Sequence, residues 1–298
     1  MEILTQARMS AIEGRRAVKQ ESSNFLYSFA LLPRNEKKAI HSIYSFCSYI
    51  DSIVDGDNGL FGSNVPEKLE RLHFWELQLE KIQNQREVTY LIEPLSEAIA
   101  RFSIPIQYFF TLIDGVRRDL LQNRYQTFEE LKDYCYGVAS IVGLISIEVF
   151  GYKYEETKEY AINLGYALQL TNIMRDIKAD LTRNYIYLPL EDLRRFNYRE
   201  EDLRDGVYNE NFVEMMRFQA KRAREFYHRA RTSLRPDERP NIVAAEIMDT
   251  IYFRLLEKIE LNEFNVFNKK ITVSRFHKLL TAAKRWLDIN MFVRRIKK

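Results

Sequence analysis

Apolar residues recur every three to four positions along nearly the whole chain, and nowhere do they alternate with polar ones at the two-residue period of a strand. Pro33 and Asn35 open the first segment, with Asn35 as its cap and Glu36 just inside, and the periodicity runs to about Asp55. Residues 56–66 read as a loop. The spacing then predicts helices over 67–82, 88–101, 105–123, 127–149 and 155–181. Residues 184–189 read as a short extended connector, because Pro189 bars a helix through them. Two more helices fit 210–232 and 240–262, separated by a turn at 236–240, and a last one covers about 274–290. No Pro/Gly/Ser-rich linker and no repeat divides the chain. The reading is therefore all-α, one domain over 1–298. No apolar run reaches the ~18 residues of a membrane span, so no transmembrane helix is expected.

Composition fits that picture. Ten glycines and seven prolines in 298 residues leave room for long helices and little for a loop-rich β fold. Eighteen Tyr and nineteen Phe suit a large core, and also a large apolar ligand. The net charge of +3 is too mild for a nucleic-acid binder, which needs a concentrated basic stripe. The one basic cluster is terminal, at Arg294, Arg295, Lys297 and Lys298. It reads as a solvated tail, with a grip on an anionic membrane surface as the sharper alternative. Cys47 and Cys135 sit in apolar runs and read as buried reduced thiols. With no signal peptide at the start, the expected location is cytoplasmic, with contact at a membrane surface left open.

Candidate chemistry lies in two helical stripes. In residues 43–57, Ile43, Cys47, Ile50 and Val54 share one helix face, while Tyr44, Ser48, Asp51 and Asp55 line the next face round. Asp51 and Asp55 lie one turn apart and repel, so a cation between them would relieve the pair. Magnesium suits that role, taking one or two carboxylates and completing its shell with waters and phosphate oxygens. An isolated DxxxD is more often two solvated acids, but this helix is otherwise largely apolar. The second stripe, in residues 167–189, sets Gln169, Asn172, Asp176 and Asp180 at i, i+3, i+7 and i+11, beside the apolar set Leu170, Met174, Ile177 and Leu181. Amides and acids in one line are oxygen donors for a hard cation, and Arg175 and Arg183 stand ready for phosphate.

The segment LQLTNIMRDIKADLTRNYIYLP resembles the second signature of the squalene/phytoene synthase family, and YSFCSYIDSIVD resembles the first. Ser22–Ser23–Asn24 before Leu31–Leu32–Pro33 resembles the family's early serine motif, YCYGVASIVG at 134–143 its central helix, and LIDGVRRDL at 112–120 a further block. Ser48, Ser52, Asn24 and Tyr185 depart from the pattern, which usually has Arg, Asp, Ser and Arg there.

The resemblance implies an isoprenoid-synthase helical bundle around a central cavity, joining two prenyl diphosphates head to head through a cyclopropylcarbinyl diphosphate. It implies magnesium, two or three ions with the diphosphate, on Asp51, Asp55, Asn172, Asp176 and Asp180. Arg175, Gln169, Ser22 and Tyr187 would hold diphosphate or position substrate. Tyr44, Tyr136 and Tyr252 would steady a carbocation or guide proton loss. Within the family the pattern is most similar to bacterial dehydrosqualene synthases, acting on two farnesyl diphosphates by way of presqualene diphosphate. The runner-up is phytoene synthesis from geranylgeranyl diphosphate, then NADPH-dependent squalene synthesis. NADPH is not expected, although the absence of GxGxxG does not exclude it. A terpene cyclase and a non-catalytic helical relative stay open from other classes. Metal-hydrolase and serine-hydrolase chemistry are disfavoured: the four histidines are scattered and no GxSxG is present.

Overall fold

The computed structural model describes residues 28–29, 32–55 and 64–296, with only the backbone of Asp55, Trp286 and 289–296. Ser22 and Asn24 lie outside the described residues. In chain order the helices are α1 (Arg34–Asp55), α2 (Val65–Gln83), α3 (Glu93–Phe102), α4 (Gln107–Leu121) and α5 (Phe128–Cys135). A π-helical turn, Tyr136–Ser140, then leads into α6 (Ile141–Phe150) and α7 (Glu156–Thr182). After these come the short α8 (Leu190–Arg195) and α9 (Glu200–Arg204), then α10 (Glu210–Ser233), α11 (Val243–Leu261) and α12 (Arg275–Ile296). Among the described residues the only strand-like pairing is an isolated bridge between Arg124 and Ile186.

The predicted helices are present, with informative shifts. Asn35 lies inside the first turn of α1 rather than capping it. α2 starts at Val65, two residues early, because the Asn64 side chain accepts from the Glu67 amide (3.0 Å) and caps it there. α3 starts at Glu93 rather than 88, since Pro94 fits a helix only in its first turn. Two features have no periodic signal and were not expected: the short helices α8 and α9, and the π turn inside the predicted 127–149 helix. The continuous stretch Phe128–Phe150 is long and apolar enough to cross a membrane, contrary to the expectation from apolar runs. Half of that window is buried in the protein, where it packs against α4 and α7.

α7 is the central post. It packs against α10, α6, α11, α5 and the π turn, while α1 packs against α2, α3, α4 and α6. One continuous apolar cluster runs through these contacts, with Ile50, Leu72, Phe109, Ile145, Phe212 and Leu256 fully buried. Three glycine contacts fix the α5–π–α6 rod. A Cβ on Gly115 of α4 would sit 2.7 Å from the Gly137 carbonyl carbon. One on Gly143 would meet the Ala161 carbonyl oxygen at 2.8 Å, and one on Gly165 would meet the Ser140 Cα at 2.4 Å. These are backbone neighbours that cannot swing away, so the absent side chains set the helix separations. Ser140 adds a hydrogen bond from its hydroxyl to the Ile162 carbonyl (2.8 Å).

Candidate active site

The two polar stripes face each other because each helix has committed its apolar stripe to the core. Ile43, Cys47, Ile50 and Val54 of α1 are buried, and so are Leu170, Met174 and Ile177 of α7. What remains, Tyr44, Ser48 and Asp51 from α1 and Gln169, Asn172, Asp176 and Asp180 from α7, lines one cavity of about 430 Å³. Arg175, Tyr187 and Tyr252 share that wall, so nine of the side chains singled out in the sequence meet there: Tyr44, Asp51, Gln169, Asn172, Arg175, Asp176, Asp180, Tyr187 and Tyr252. Asp55 ends α1, and its side chain lies outside the described residues, as does Ser22.

The polar end is electrostatically prepared. Asp176 accepts from Arg175 Nε (2.9 Å) and a second guanidinium nitrogen, and Lys270, from the segment before α12, stands 3.2 Å from its Oδ1. Burial alone would raise this carboxyl's pKa, but Arg175 and then Lys270 hold it below the ordinary carboxylate value. Asp180, buried one turn on, accepts from Arg183 at 3.1 Å. Lys278 of α12 is itself largely buried, and burial followed by the nearby Arg175 and Arg275 charges lowers its pKa. One turn before Asp176 on α7, the Asn172 Oδ1 atom is buried without a hydrogen-bond partner among the described residues. A buried acceptor left bare costs ~1–3 kcal/mol, so it marks a place where a ligand completes the shell.

That orphaned oxygen, beside Asp176 and Asp180 and across from Asp51, is a hard-oxygen donor set that fits magnesium. Among the described residues no three His, Cys, Asp or Glu side chains form a cluster able to hold a metal by themselves. The donor set therefore fits an ion that brings phosphate oxygens with it.

Away from the acid stripes the walls turn largely apolar. Tyr134, Val138, Val142, Ser146 and Phe150 descend one face of the α5–π–α6 rod into the cavity. Tyr136 does not line it: two residues from Tyr134 on a helix is about 200° of rotation, which turns Tyr136 to another face of the rod. Tyr134, rather than the Tyr136 that the resemblance implies, lines the cavity. Asp119 of α4, which sequence reasoning did not single out, organises this wall. Its carboxylate accepts from the Tyr134 hydroxyl (2.8 Å) and the Tyr187 hydroxyl (3.1 Å), and its carbonyl accepts from the Tyr185 hydroxyl. Tyr185 stacks on Tyr187 and Tyr187 on Tyr134, at 5.7 and 5.3 Å between ring centres. Burial first, and the Asp119 charge second, push the Tyr134 and Tyr187 phenols up, so both stay protonated. The departure at Tyr185 thus has a structural purpose, as the outer leaf of this stack. Of the two departures on α1, Ser48 lines the cavity and the Ser52 hydroxyl donates to the Tyr49 carbonyl at 2.7 Å.

An all-helical bundle with facing acid stripes at one end of a largely apolar cavity defines an isoprenoid-diphosphate transferase. The squalene/phytoene synthase pattern matches residues 18–277, and the chain belongs to that family, a family of head-to-head prenyl transferases. It is 39% identical over 282 residues to a phytoene synthase of Arthrospira platensis, covering 89% of each chain. It superposes with a TM-score of 0.80 on a ligand-bound dehydrosqualene synthase, at 24% identity and covering 96% of this chain and 99% of that one. The squalene synthase HpnC of Alicyclobacillus acidocaldarius matches with a TM-score of 0.76 at 25% identity, over 88% of this chain and 97% of that one.

Proposed function

We propose that this chain, acting as a single isoprenoid-synthase domain, joins two geranylgeranyl diphosphates head to head to give phytoene, with release of diphosphate. The reaction class rests on one observation: Asp51, Asn172, Asp176 and Asp180 converge at the charged end of a cavity whose far walls are apolar. The twenty-carbon substrate draws its support from the Arthrospira relative, which is named a phytoene synthase. This favours the runner-up of the sequence reading over farnesyl diphosphate. Small residues along the inner walls, Ala139, Gly143, Ala161, Ala244 and Ala245, agree with a long tail.

Asp51, Asp55, Asn172, Asp176 and Asp180 would hold magnesium, which when bound supplies Lewis-acid neutralisation of the departing diphosphate. Arg175, Lys270 and Arg183 bring fixed positive charge to the same end, where phosphate oxygens would exchange for the carboxylates they now hold. Gln169, next along the α7 stripe, offers an amide for orienting diphosphate. Deeper in, the faces of Tyr44 and Tyr252 offer cation–π stabilisation to the allylic cation. Because the Tyr134 and Tyr187 phenols stay protonated and are tied to Asp119, they supply dipoles rather than a nucleophilic oxygen. No reductant enters this reading. A cytoplasmic enzyme in contact with a membrane surface belongs to the same proposal, since the product is an insoluble hydrocarbon.

The test is turnover of purified protein with magnesium and geranylgeranyl or farnesyl diphosphate, with and without NADPH, read by mass spectrometry of a hexane extract. Doubling of the geranylgeranyl carbon count without NADPH is the expected result. Coupling of farnesyl diphosphate alone would return the assignment to dehydrosqualene synthesis, and a product saturated at the centre only with NADPH would make it squalene synthesis. A product with the carbon count of one substrate would mean a cyclase.

A further inference from the structure

α12 packs on α11 with one side only. Ala282 and Lys278 are buried, and Arg285 reaches the Thr250 hydroxyl of α11. Its opposite side carries Phe276, Leu279, Leu280 and Leu287, exposed by 70, 54, 54 and 52%, with the exposed Ala283 between them. These positions follow i, i+3, i+4, i+7 and i+11, which is one continuous helical face. Elsewhere in the described residues the large apolar side chains as exposed are Tyr90, Leu121 and Leu261, each on a different segment. A stripe of this kind on adjacent turns calls for an occupant.

Charge says which occupant. Between residues 275 and 298 the sequence holds eight Lys or Arg and one acid, Asp288, although the whole chain is only +3. A second copy of the chain laid on this face would bring two strongly positive helices together. An anionic lipid surface would instead attract the helix over its whole length and accept its apolar side. Position agrees. Lys270, five residues before α12, is paired with Asp176, so the helix starts at the charged mouth of the cavity.

We propose that the apolar face of α12 lies in the interfacial plane of an anionic membrane, with the exposed Arg275 and Lys284 on the headgroups and the cavity mouth beside the bilayer. The assignment is independent of which prenyl diphosphate is the substrate.

The test uses the full chain in flotation with phosphatidylglycerol-containing vesicles and with pure phosphatidylcholine vesicles. Binding to the anionic vesicles, weakened by high salt, is expected. The double variant Phe276→Ser, Leu280→Ser should lose about tenfold or more of that binding. Both residues are exposed, so its circular dichroism and its turnover of detergent-dispersed substrate should be retained. Lys284→Glu should weaken binding by several-fold. Absence of flotation with anionic vesicles overturns the proposal. So does a serine double variant that floats as well as the parent, because adhesion would then come from the basic residues alone. A dimer in light scattering that the double variant abolishes, without vesicle binding, would assign the face to a second copy.

Discussion

Lys270 Nζ lies 3.2 Å from Asp176 Oδ1, so a residue outside both acid stripes supplies a counter-charge to the second one. Lys270 is largely exposed and its pair with Asp176 is worth little to stability. Its value lies in being exchangeable. Lys270→Met should leave the melting temperature within a degree or two while weakening binding of magnesium with inorganic pyrophosphate by about tenfold in calorimetry. Asp176→Asn should cost about 100-fold or more in turnover with circular dichroism unchanged.

Asn172 separates function from stability. Its buried Oδ1 has no partner among the described residues, so Asn172→Leu should not lower the melting temperature of the metal-free protein. It gains by losing an unsatisfied polar atom, by about 1 kcal/mol if the larger side chain is accommodated. Magnesium-dependent turnover should nevertheless fall about 100-fold, measured at saturating substrate. A proportionate loss of stability would mean that the amide is structural.

Two buried groups make stability depend on pH, with the same sign. Burial raises the Glu246 carboxyl above its ordinary value of 4.5, so the folded state prefers it protonated. The associated stability is present below pH 4.5 and is lost as pH rises through the folded value. Glu246→Gln should therefore melt higher than the parent at neutral pH, and the difference should vanish in acid. Cys47, on the cavity wall, is raised above 9.0 by burial and then by Asp51. Its thiol should resist maleimide at pH 8 until the protein unfolds, and its share of stability should fade only as pH climbs past 9.

Gly165→Ala should destabilise by ~1–3 kcal/mol in denaturant unfolding, since the new methyl meets the Ser140 backbone rather than a movable side chain. Gly151→Ala is the contrast. Nothing lies within 4 Å of a Cβ there, and its cost comes only from the φ of +75°.

Helix order and the α7 stripe were readable in the sequence because both rest on one period within one segment. Apolar positions every three to four residues name the buried face, and the polar line beside it must then point into whatever space the bundle leaves. Asp119 was not readable that way. It works with Tyr134, Tyr185 and Tyr187, which come from other segments, and nothing along its own helix sets it apart from Asp114. The only signal was its place at the end of the LIDGVRRDL block. Choosing Tyr136 over Tyr134 had the same root, because YCYG contains two tyrosines and only their rotation about the rod tells them apart. The π turn leaves no mark in composition, as its five residues would serve equally well in an α-helix.

The glycine contacts around the α5–π–α6 rod carry a consequence for how such an enzyme can change its product. With Gly115 against Gly137, Gly143 against Ala161 and Gly165 against Ser140, the backbones already touch, and at these points the helices can come no closer. Product length is left to the stubs that project between the clasps, Ala139, Ser146 and Ala245 among them. Under the proposed function, evolution, or an engineer, would lengthen or shorten the hydrocarbon one side chain at a time while these contacts keep the helices in place.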